Sequence, residues 1–124
     1  MQINESIENY LETILMLKQR KGFVRSIDIA SELGVTKPSV SHATKLMREN
    51  GLITMREDGG IDLTSEGSEI AARMYGRHRA LAEFFISLGV SEENAFRDAC
   101  KMEHDISEES FRAICGLAEK TRNR

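Results

Sequence analysis

The sequence has little of several features that mark other classes of protein. It has one proline, and its nine glycines are scattered, which excludes collagen-like and low-complexity chains. No apolar run approaches the roughly 20 residues that span a bilayer, and the N-terminus is acidic and amphipathic, unlike an export signal. Two cysteines in such a chain are better interpreted as thiols than as a disulfide. We therefore expect a cytoplasmic protein with no membrane partner.

The composition is that of an ordinary globular protein, but its charges are unevenly distributed. The 124 residues are 40% hydrophobic and 30% charged, enough for one compact domain or two small subdomains. The formal net charge is −3, yet seven basic residues and only two acidic ones lie between Lys18 and Arg48. A local basic surface on an acidic chain is compatible with DNA binding, although solvated faces also carry such charges.

Hydrophobic spacing and capping residues predict a mainly α protein that begins with a winged helix-turn-helix. A first helix is expected over residues 4–20, Ser26 is expected to cap a helix over 27–33, and Thr36 a helix that ends at Asn50-Gly51. Two short helices joined by a glycine-containing turn are typical of a helix-turn-helix. Segments 52–55 and 61–63, separated by a glycine turn, predict the hairpin that forms the wing.

The second half of the sequence predicts only helices. Thr64 is expected to cap a long helix that runs to about residue 88, Ser91 the next helix and Ser107 the last. We therefore expect a winged helix-turn-helix DNA-binding domain over residues 1–64, followed by a linking helix and an all-α dimerisation domain over 65–124. The apolar side chains expected to form the dimer surface are Phe96, Ile106, Phe111 and Ile114.

The residues expected to contact DNA cluster at the start of the third helix. In a helix-turn-helix, the first residues of the second helix of the motif enter the major groove. Hydroxyls, imidazole and ammonium groups there can contact base edges or phosphates, and arginines nearby can contact phosphates. The predicted DNA-binding residues are Arg25, Thr36, Lys37, Pro38, Ser39, Ser41, His42, Lys45 and Arg56. The alternative is a winged helix that contacts proteins, with these groups merely solvated.

Six residues of kinds that bind divalent metals lie outside the DNA-reading segment. They are Asn9, Glu12, His78, Cys100, Glu103 and His104. The last three stand at i, i+3 and i+4, so on one helix their side chains point the same way. Thiolate, carboxylate and imidazole together suit a divalent transition ion, but the spacing alone also allows a structural cluster. The chain would then be a winged-helix regulator that does not sense metal.

An enzyme is the other alternative. It would pair Cys100 with His78 or His104 as a thiolate–imidazole couple. No glycine-rich or oxyanion-type loop lies nearby in the sequence, so we predict that the protein is not an enzyme. Cys115 lies on an apolar helical stripe and is not expected to belong to the site.

Several segments, taken in order and spacing, resemble one known family. They are Asn9-Tyr10-Leu11-Glu12, Asp28-Ile29-Ala30, Pro38-Ser39-Val40-Ser41, Leu63-Thr64-x-x-Gly67, Arg77-His78 and Cys100-x-x-Glu103-His104. These segments are similar to the diphtheria-toxin-repressor and manganese-transport-regulator family of metal-dependent repressors, and the resemblance covers nearly the whole chain. It implies a repressor, of metal-uptake genes, that binds a palindromic DNA operator as a homodimer. The implied activating metal is Mn²⁺ or Fe²⁺, with Zn²⁺ or Co²⁺ possible in vitro.

The resemblance also implies the ligands, and from them we hypothesise a mechanism. In the family, ligands come from the first helix, the linking helix and the helix with the Glu-His pair, which implies Glu12, His78, Cys100, Glu103 and His104. The ion would hold the first helix against the later ones. Two copies would then place their recognition helices roughly 34 Å apart, the spacing of successive major grooves.

The chain departs from the family pattern at a few positions. The family usually has Asp or Met where Asn9 stands. Cys100 matches the iron-responsive branch and Glu12 the manganese branch, so the site is a hybrid. A second site of the iron-responsive type would need histidine where Phe96 stands, so we expect only one. The SH3-like third domain of longer relatives is not expected, because the chain ends at Arg124.

Overall fold

The computed structural model describes residues 4–122, which form six helices and one two-stranded antiparallel sheet. The predicted fold class, mainly α with an N-terminal winged helix-turn-helix, is confirmed. Within the described range, no helix combines the length and the apolar character that a bilayer crossing needs. The elements are α1 (Glu5–Lys21), α2 (Ser26–Leu33), α3 (Lys37–Glu49), β1 (Ile53–Met55), β2 (Ile61–Leu63), α4 (Ser65–Ser87), α5 (Glu92–Met102) and α6 (Glu108–Arg122).

The chain divides between Arg73 and Met74, within α4, into two compact units. In the N-terminal unit, α1, α2, α3 and the hairpin enclose a continuous apolar cluster. Val40 and Met47 of α3 are fully buried in it, so this helix turns its polar face outward. In the hairpin, Ile53 pairs with Leu63 and Met55 with Ile61, which directs alternate side chains into the same cluster.

Most helices begin at the capping residue that the sequence predicts. The hydroxyls of Thr36, Thr64, Ser91 and Ser107 each accept a hydrogen bond from a backbone N–H of the first helical turn, at 3.1–3.3 Å. The second helix is the exception, because Ser26 is already its first residue and does not cap it. The prediction of Ser26 as the cap is therefore wrong.

The start of α2 depends instead on a carboxylate inside the helix. Asp28 Oδ2 accepts the backbone N–H of Arg25, the N-cap residue, at 2.9 Å. This bond and the ammonium of Lys21 hold the pKa of Asp28 below its usual value. A carboxylate whose folded-state pKa is lowered stabilises the fold at neutral pH, and this contribution is lost as the pH falls through that lowered pKa. Acid is therefore expected to loosen the beginning of α2.

Gly67 is required by the close approach of α4 to the wing. A Cβ at this position would lie 2.0 Å from the backbone oxygen of Leu52, so Gly67→Ala is expected to lower the free energy of unfolding by about 1–3 kcal/mol. Gly76 lies on the same helix with open space around its Cα, and Gly76→Ala is expected to raise that free energy by up to about 1 kcal/mol. Urea denaturation of both variants measures the difference, and equal effects would contradict this explanation.

The C-terminal unit has a separate small core formed by α4, α5 and α6. Fully buried Leu81 and Ala82 of α4 pack with Ala95 and Ala99 of α5, and larger side chains surround them. Three residues predicted for the dimer surface are half-buried against this core within the same chain: Ile106, Phe111 and Ile114. Less of their surface is therefore left for a partner than the sequence suggests. Apolar side chains exposed in this unit are Ile86, Leu88, Phe96 and Leu117.

Candidate metal centre and nucleic-acid interface

The C-terminal unit contains a fully buried carboxylate with an imidazole near each of its oxygens. Glu103 has no exposed surface. Its Oε2 lies 3.0 Å from His78 Nδ1, and its Oε1 lies 3.2 Å from His104 Nε2. Among the described residues, Oε1 makes no hydrogen bond of normal geometry. Burying a carboxylate is costly unless charged or polar partners compensate it, so this arrangement is unusual for a residue that only fills the core.

Helix α4, helix α5 and the turn that follows α5 supply the side chains of the cluster. His78 is buried on α4, and Cys100 is half-buried on α5. Glu103 follows the last residue of α5, yet its N–H still bonds to Ala99 O at 3.0 Å with helical dihedral angles. The helical rotation therefore continues through Glu103, which places it one turn from Cys100 on the same face.

The expectation that one helix carries all three C-terminal donors needs correction. Helix α5 ends at Met102, and His104 lies in the turn that follows. Met102 O accepts the N–H groups of both Asp105 and Ile106, at 3.0 and 3.1 Å, and so closes this turn. The imidazole of His104 nevertheless reaches the same carboxylate, and its side chain is 3% exposed.

The spacing of the donor atoms is close to that of metal ligands. One donor atom from each of His78, Cys100 and Glu103 lies within 4.8 Å of the others. Metal–ligand bonds of about 2.0–2.3 Å place two donors of one ion at most about 4.6 Å apart. Small side-chain adjustments would therefore suffice, and imidazole, thiolate and carboxylate are donors that divalent transition ions accept. The residues present fit such an ion.

The other predicted ligands lie on α1, in the N-terminal unit. Glu12 is buried there, with 3% of its surface exposed, which is rare for a carboxylate on an amphipathic helix. Asn9 is half-buried one turn earlier, and its backbone oxygen accepts the hydroxyl hydrogen of Thr13 at 2.8 Å. Neither cysteine of the described chain forms a disulfide, in agreement with the sequence-based interpretation.

Phe96, which the family resemblance places where a second metal site would need histidine, lies beside His78. Its ring centre lies 5.6 Å from that of His78, with the ring planes tilted by 34°. The phenyl ring thus packs beside the buried imidazole and offers no donor atom.

The N-terminal unit presents the predicted DNA-reading residues on one exposed helix face. Val40, Ala43, Thr44 and Met47 bury the inner face of α3. The outer face and the start of the helix carry the exposed residues Thr36, Lys37, Pro38, Ser39, Ser41, His42 and Lys45. Thr36 also has a structural role, since its hydroxyl caps the helix and lies 2.9 Å from that of Ser39. The face therefore combines hydroxyls, an imidazole and two ammonium groups.

Phe23 joins the two arginines predicted to contact phosphates, and sequence reasoning missed it. The guanidinium carbons of Arg25 and Arg56 lie 5.1 and 4.9 Å from the centre of the Phe23 ring, both within cation–π range. The side chain of Arg56 also fills the space beside Gly60, where a Cβ would lie 2.4 Å from Nη2. An aromatic residue two positions before a basic one was the only sequence signal for this contact.

Acidic side chains partly compensate the wing arginine. Arg56 Nε lies 3.5 Å from Asp58 Oδ1 and 3.6 Å from Asp62 Oδ2. Asp62 also accepts a hydrogen bond from Lys18, and these cations keep the pKa of Asp62 below its usual value, the Lys18 bond contributing most. Arg56 is therefore held in place by the hairpin and by Phe23, while the carboxylates of Asp58 and Asp62 offset part of the positive potential around it.

Comparisons with known proteins bear on both units. Residues 2–61 match the family model described as the N-terminal DNA binding domain of iron dependent repressors, and residues 64–123 match their metal binding and dimerisation domain. The chain is 41% identical over 116 residues to the transcriptional regulator MntR of Escherichia coli O6:H1. That match covers 94% of this chain and 75% of the relative.

Solved structures agree with these matches. The chain is similar to IdeR of T. acidophilum, with a TM-score of 0.81 and 27% identity over 96% of this chain and 55% of the other. It is also similar to a manganese-dependent transcriptional repressor in complex with manganese, with a TM-score of 0.82 and 26% identity over 90% of this chain and 51% of the other. The chain thus spans about half the length of both solved chains.

Proposed function

Because this chain belongs to the iron-dependent repressor family of DNA-binding regulators, which are not enzymes, we propose that its buried carboxylate cluster is the site where metal controls operator binding. The two matched domains bind DNA, and bind metal and dimerise. A divalent metal, DNA and a second copy of the chain are accordingly its partners. The observation that carries the assignment of the site is Glu103, buried between two imidazoles and within ligand distance of Cys100.

We propose His78, Cys100, Glu103 and His104 as ligands in the C-terminal unit. Glu12 is proposed as a further ligand on the pattern of the family, supported by the burial of its carboxylate on α1. Asn9 is a weaker candidate, since an amide oxygen carries no charge to offset that of the ion. A bound divalent ion would supply positive charge that neutralises the carboxylates and fixes the orientation of their side chains.

The mixed donors bear on which metal is used. Carboxylates suit Mn²⁺, whereas a thiolate favours Fe²⁺, Zn²⁺ or Co²⁺. One structural relative is named for manganese and contains it, and the matched family models are named for iron. We therefore propose Mn²⁺ or Fe²⁺ as the activating ion in the cytoplasm, with tighter binding of Zn²⁺ in vitro because of its higher general affinity.

The proposed mechanism is a shift between two populations of the chain. With Glu12 and the C-terminal residues as common ligands, metal occupancy would be coupled to the DNA-binding unit. Metal then raises the population that is competent to bind a palindromic operator as a dimer, and it does not itself touch DNA. A preference of about 3 kcal/mol for that population would change operator affinity roughly a hundredfold.

An operator-binding titration tests this function. The full chain is titrated with operator DNA under anaerobic conditions, which protect Cys100, in the presence of Mn²⁺, Fe²⁺, Zn²⁺ or a chelator. We expect the chelator to weaken operator binding roughly a hundredfold relative to Mn²⁺ or Fe²⁺. Equal affinity in all four conditions would show a winged-helix regulator that does not respond to metal.

Lys45, on the exposed face of α3, is proposed to contact a phosphate. Lys45→Ala is expected to weaken binding about equally for operator and unrelated DNA, and to lower the slope of log affinity against log salt by about 1. Lys101→Ala removes an exposed lysine from α5 and is the matched control, with an unchanged slope expected. An altered preference among operator sequences, with the salt slope unchanged, would instead assign Lys45 to a base contact.

A further inference from the structure

We propose that Arg77 is a positioning residue for the metal centre, an inference that rests on the function proposed above. The ligand turn, defined here as residues 103–106, follows α5 and carries Glu103 and His104. Arg77 Nη2 donates a hydrogen bond to the backbone oxygen of Ile106 at 2.7 Å. Its guanidinium carbon also lies 5.0 Å from the ring centre of Phe111 on α6. Arg77 therefore connects α4 to the end of the ligand turn and to the helix that follows it.

Two consecutive residues of α4 contact the two ends of this turn. His78 lies 3.0 Å from the carboxylate of Glu103, the first residue of the turn, while Arg77 binds the carbonyl of Ile106, the last one. Within the turn, the N–H groups of Asp105 and Ile106 both bond to Met102 O. Because neighbouring residues of a helix keep a fixed relative orientation, the two contacts set the position of the turn relative to the imidazole of His78.

The surroundings of Arg77 indicate that fold stability alone does not explain an arginine at this position. Arg77 is half-buried, and its Nε is fully buried with no hydrogen-bond partner among the described residues. An unsatisfied buried N–H reduces stability, so an apolar side chain would pack here at lower cost. Such a side chain would lose the directional bond to Ile106 O. A residue that orients a metal ligand without touching the ion can be retained in spite of such a loss of stability. Replacing such a residue typically weakens metal binding 10–100-fold.

Arg79 offers a matched comparison two residues further along α4. Its side chain is 57% exposed, and its Nη2 lies 3.6 Å from Glu83 Oε1 on the same helix. Both arginines neighbour His78 in the sequence, and both replacements remove one positive charge. Of these two arginines, only Arg77 donates a hydrogen bond to the ligand turn in the described part of the chain. A difference between the two variants therefore reports the contact to the turn and not the change in charge.

The test measures metal affinity on the full chain without DNA. Dissociation constants for Mn²⁺ and Zn²⁺ are obtained by competition with a chromogenic chelator for wild type, Arg77→Met, Arg77→Lys, Arg79→Met and Glu103→Gln, and urea midpoints are recorded for the metal-free proteins. We expect Arg77→Met to weaken binding of both ions 10–100-fold. Arg77→Lys keeps a positively charged nitrogen that can donate to Ile106 O, and it is expected to weaken binding less. Arg79→Met is expected to stay within about twofold of wild type.

A positioning role and a purely structural role differ at high metal concentration. If Arg77 only orients the turn, Arg77→Met regains wild-type operator affinity once metal is raised 100-fold; failure to regain it overturns the proposal. Wild-type metal affinity in Arg77→Met also overturns the role of Arg77. If Glu103→Gln has lost metal binding in the same experiment, the proposed metal centre still stands. Wild-type binding in Glu103→Gln overturns the proposed centre itself. If Arg77→Met does not fold, Arg77→Lys decides, and unchanged metal affinity there rejects the role.

Discussion

Replacing Glu103 by glutamine is expected to abolish metal-stimulated operator binding. Glutamine has nearly the same shape but no charge, so its side-chain amide cannot offset the charge of a divalent ion. The oxygens of this fully buried carboxylate lie 3.0 and 3.2 Å from the imidazoles of His78 and His104. Loss of the central ligand is expected to weaken metal binding at least about a hundredfold, equivalent to roughly 2.8 kcal/mol.

The Glu103→Gln experiment needs a control for the general effect of removing a carboxylate. Glu109→Gln supplies it, because Glu109 is exposed in the first turn of α6. Isothermal titration with Mn²⁺ and operator gel shifts are measured for both variants, together with far-UV circular dichroism to verify folding. A folded Glu103→Gln protein that still responds to metal like the Glu109→Gln control would exclude Glu103 as a ligand.

Replacing Cys100 by serine is expected to change which metal the protein prefers. The thiolate is the one soft donor of the cluster, and it favours Zn²⁺, Fe²⁺ and Co²⁺ over Mn²⁺. Serine has a similar shape but a hydroxyl that ligates poorly. We expect Zn²⁺ affinity to fall about a hundredfold, or roughly 2.8 kcal/mol, and Mn²⁺ affinity to fall much less. The preference for Zn²⁺ over Mn²⁺ should therefore narrow by at least about tenfold.

Cys115→Ser is the matched control for the Cys100→Ser variant. Cys115 is half-buried on α6 and does not belong to the donor cluster of His78, Cys100 and Glu103. Competition titrations with both ions, under reducing and anaerobic conditions, give the two affinities for each variant. If Cys100→Ser lowers Zn²⁺ and Mn²⁺ affinity by the same factor, Cys100 supports the fold of the site and does not select the metal.

Much of the fold could be predicted because hydroxyl side chains close to each helix in the sequence determine where the helix begins. Thr36, Thr64, Ser91 and Ser107 cap the helices they were expected to cap. The prediction failed at α2, where a serine and an aspartate compete within three residues. There the carboxylate of Asp28 takes the N–H of Arg25, and Lys21 of α1 stabilises that choice through a contact at 3.0 Å. Tertiary contacts of this kind are not visible in a local pattern.

The metal cluster could be predicted only where its residues are close together in the sequence. The spacing of Cys100 and Glu103 places them on one helical face, and the structure preserves this relation. His78 lies 25 residues before Glu103, and only the family resemblance indicated that it belongs with them. The role of Arg77 could not be found from the sequence, because Arg77 and Arg79 flank His78 symmetrically. Only the direction of each side chain from α4 distinguishes the two.

The position of Glu103 and His104 just beyond the end of α5 has a consequence for how quickly the sensor can answer a change in its surroundings. A donor in the middle of a helix, such as His78 on α4, leaves an ion only by rotation of its own side chain, because helical hydrogen bonds hold its backbone. Donors on a short turn need only a few backbone rotations, which are among the faster motions of a folded chain. Dissociation of the ion can therefore be rapid even when equilibrium affinity is high, so transcription could resume soon after the metal becomes scarce.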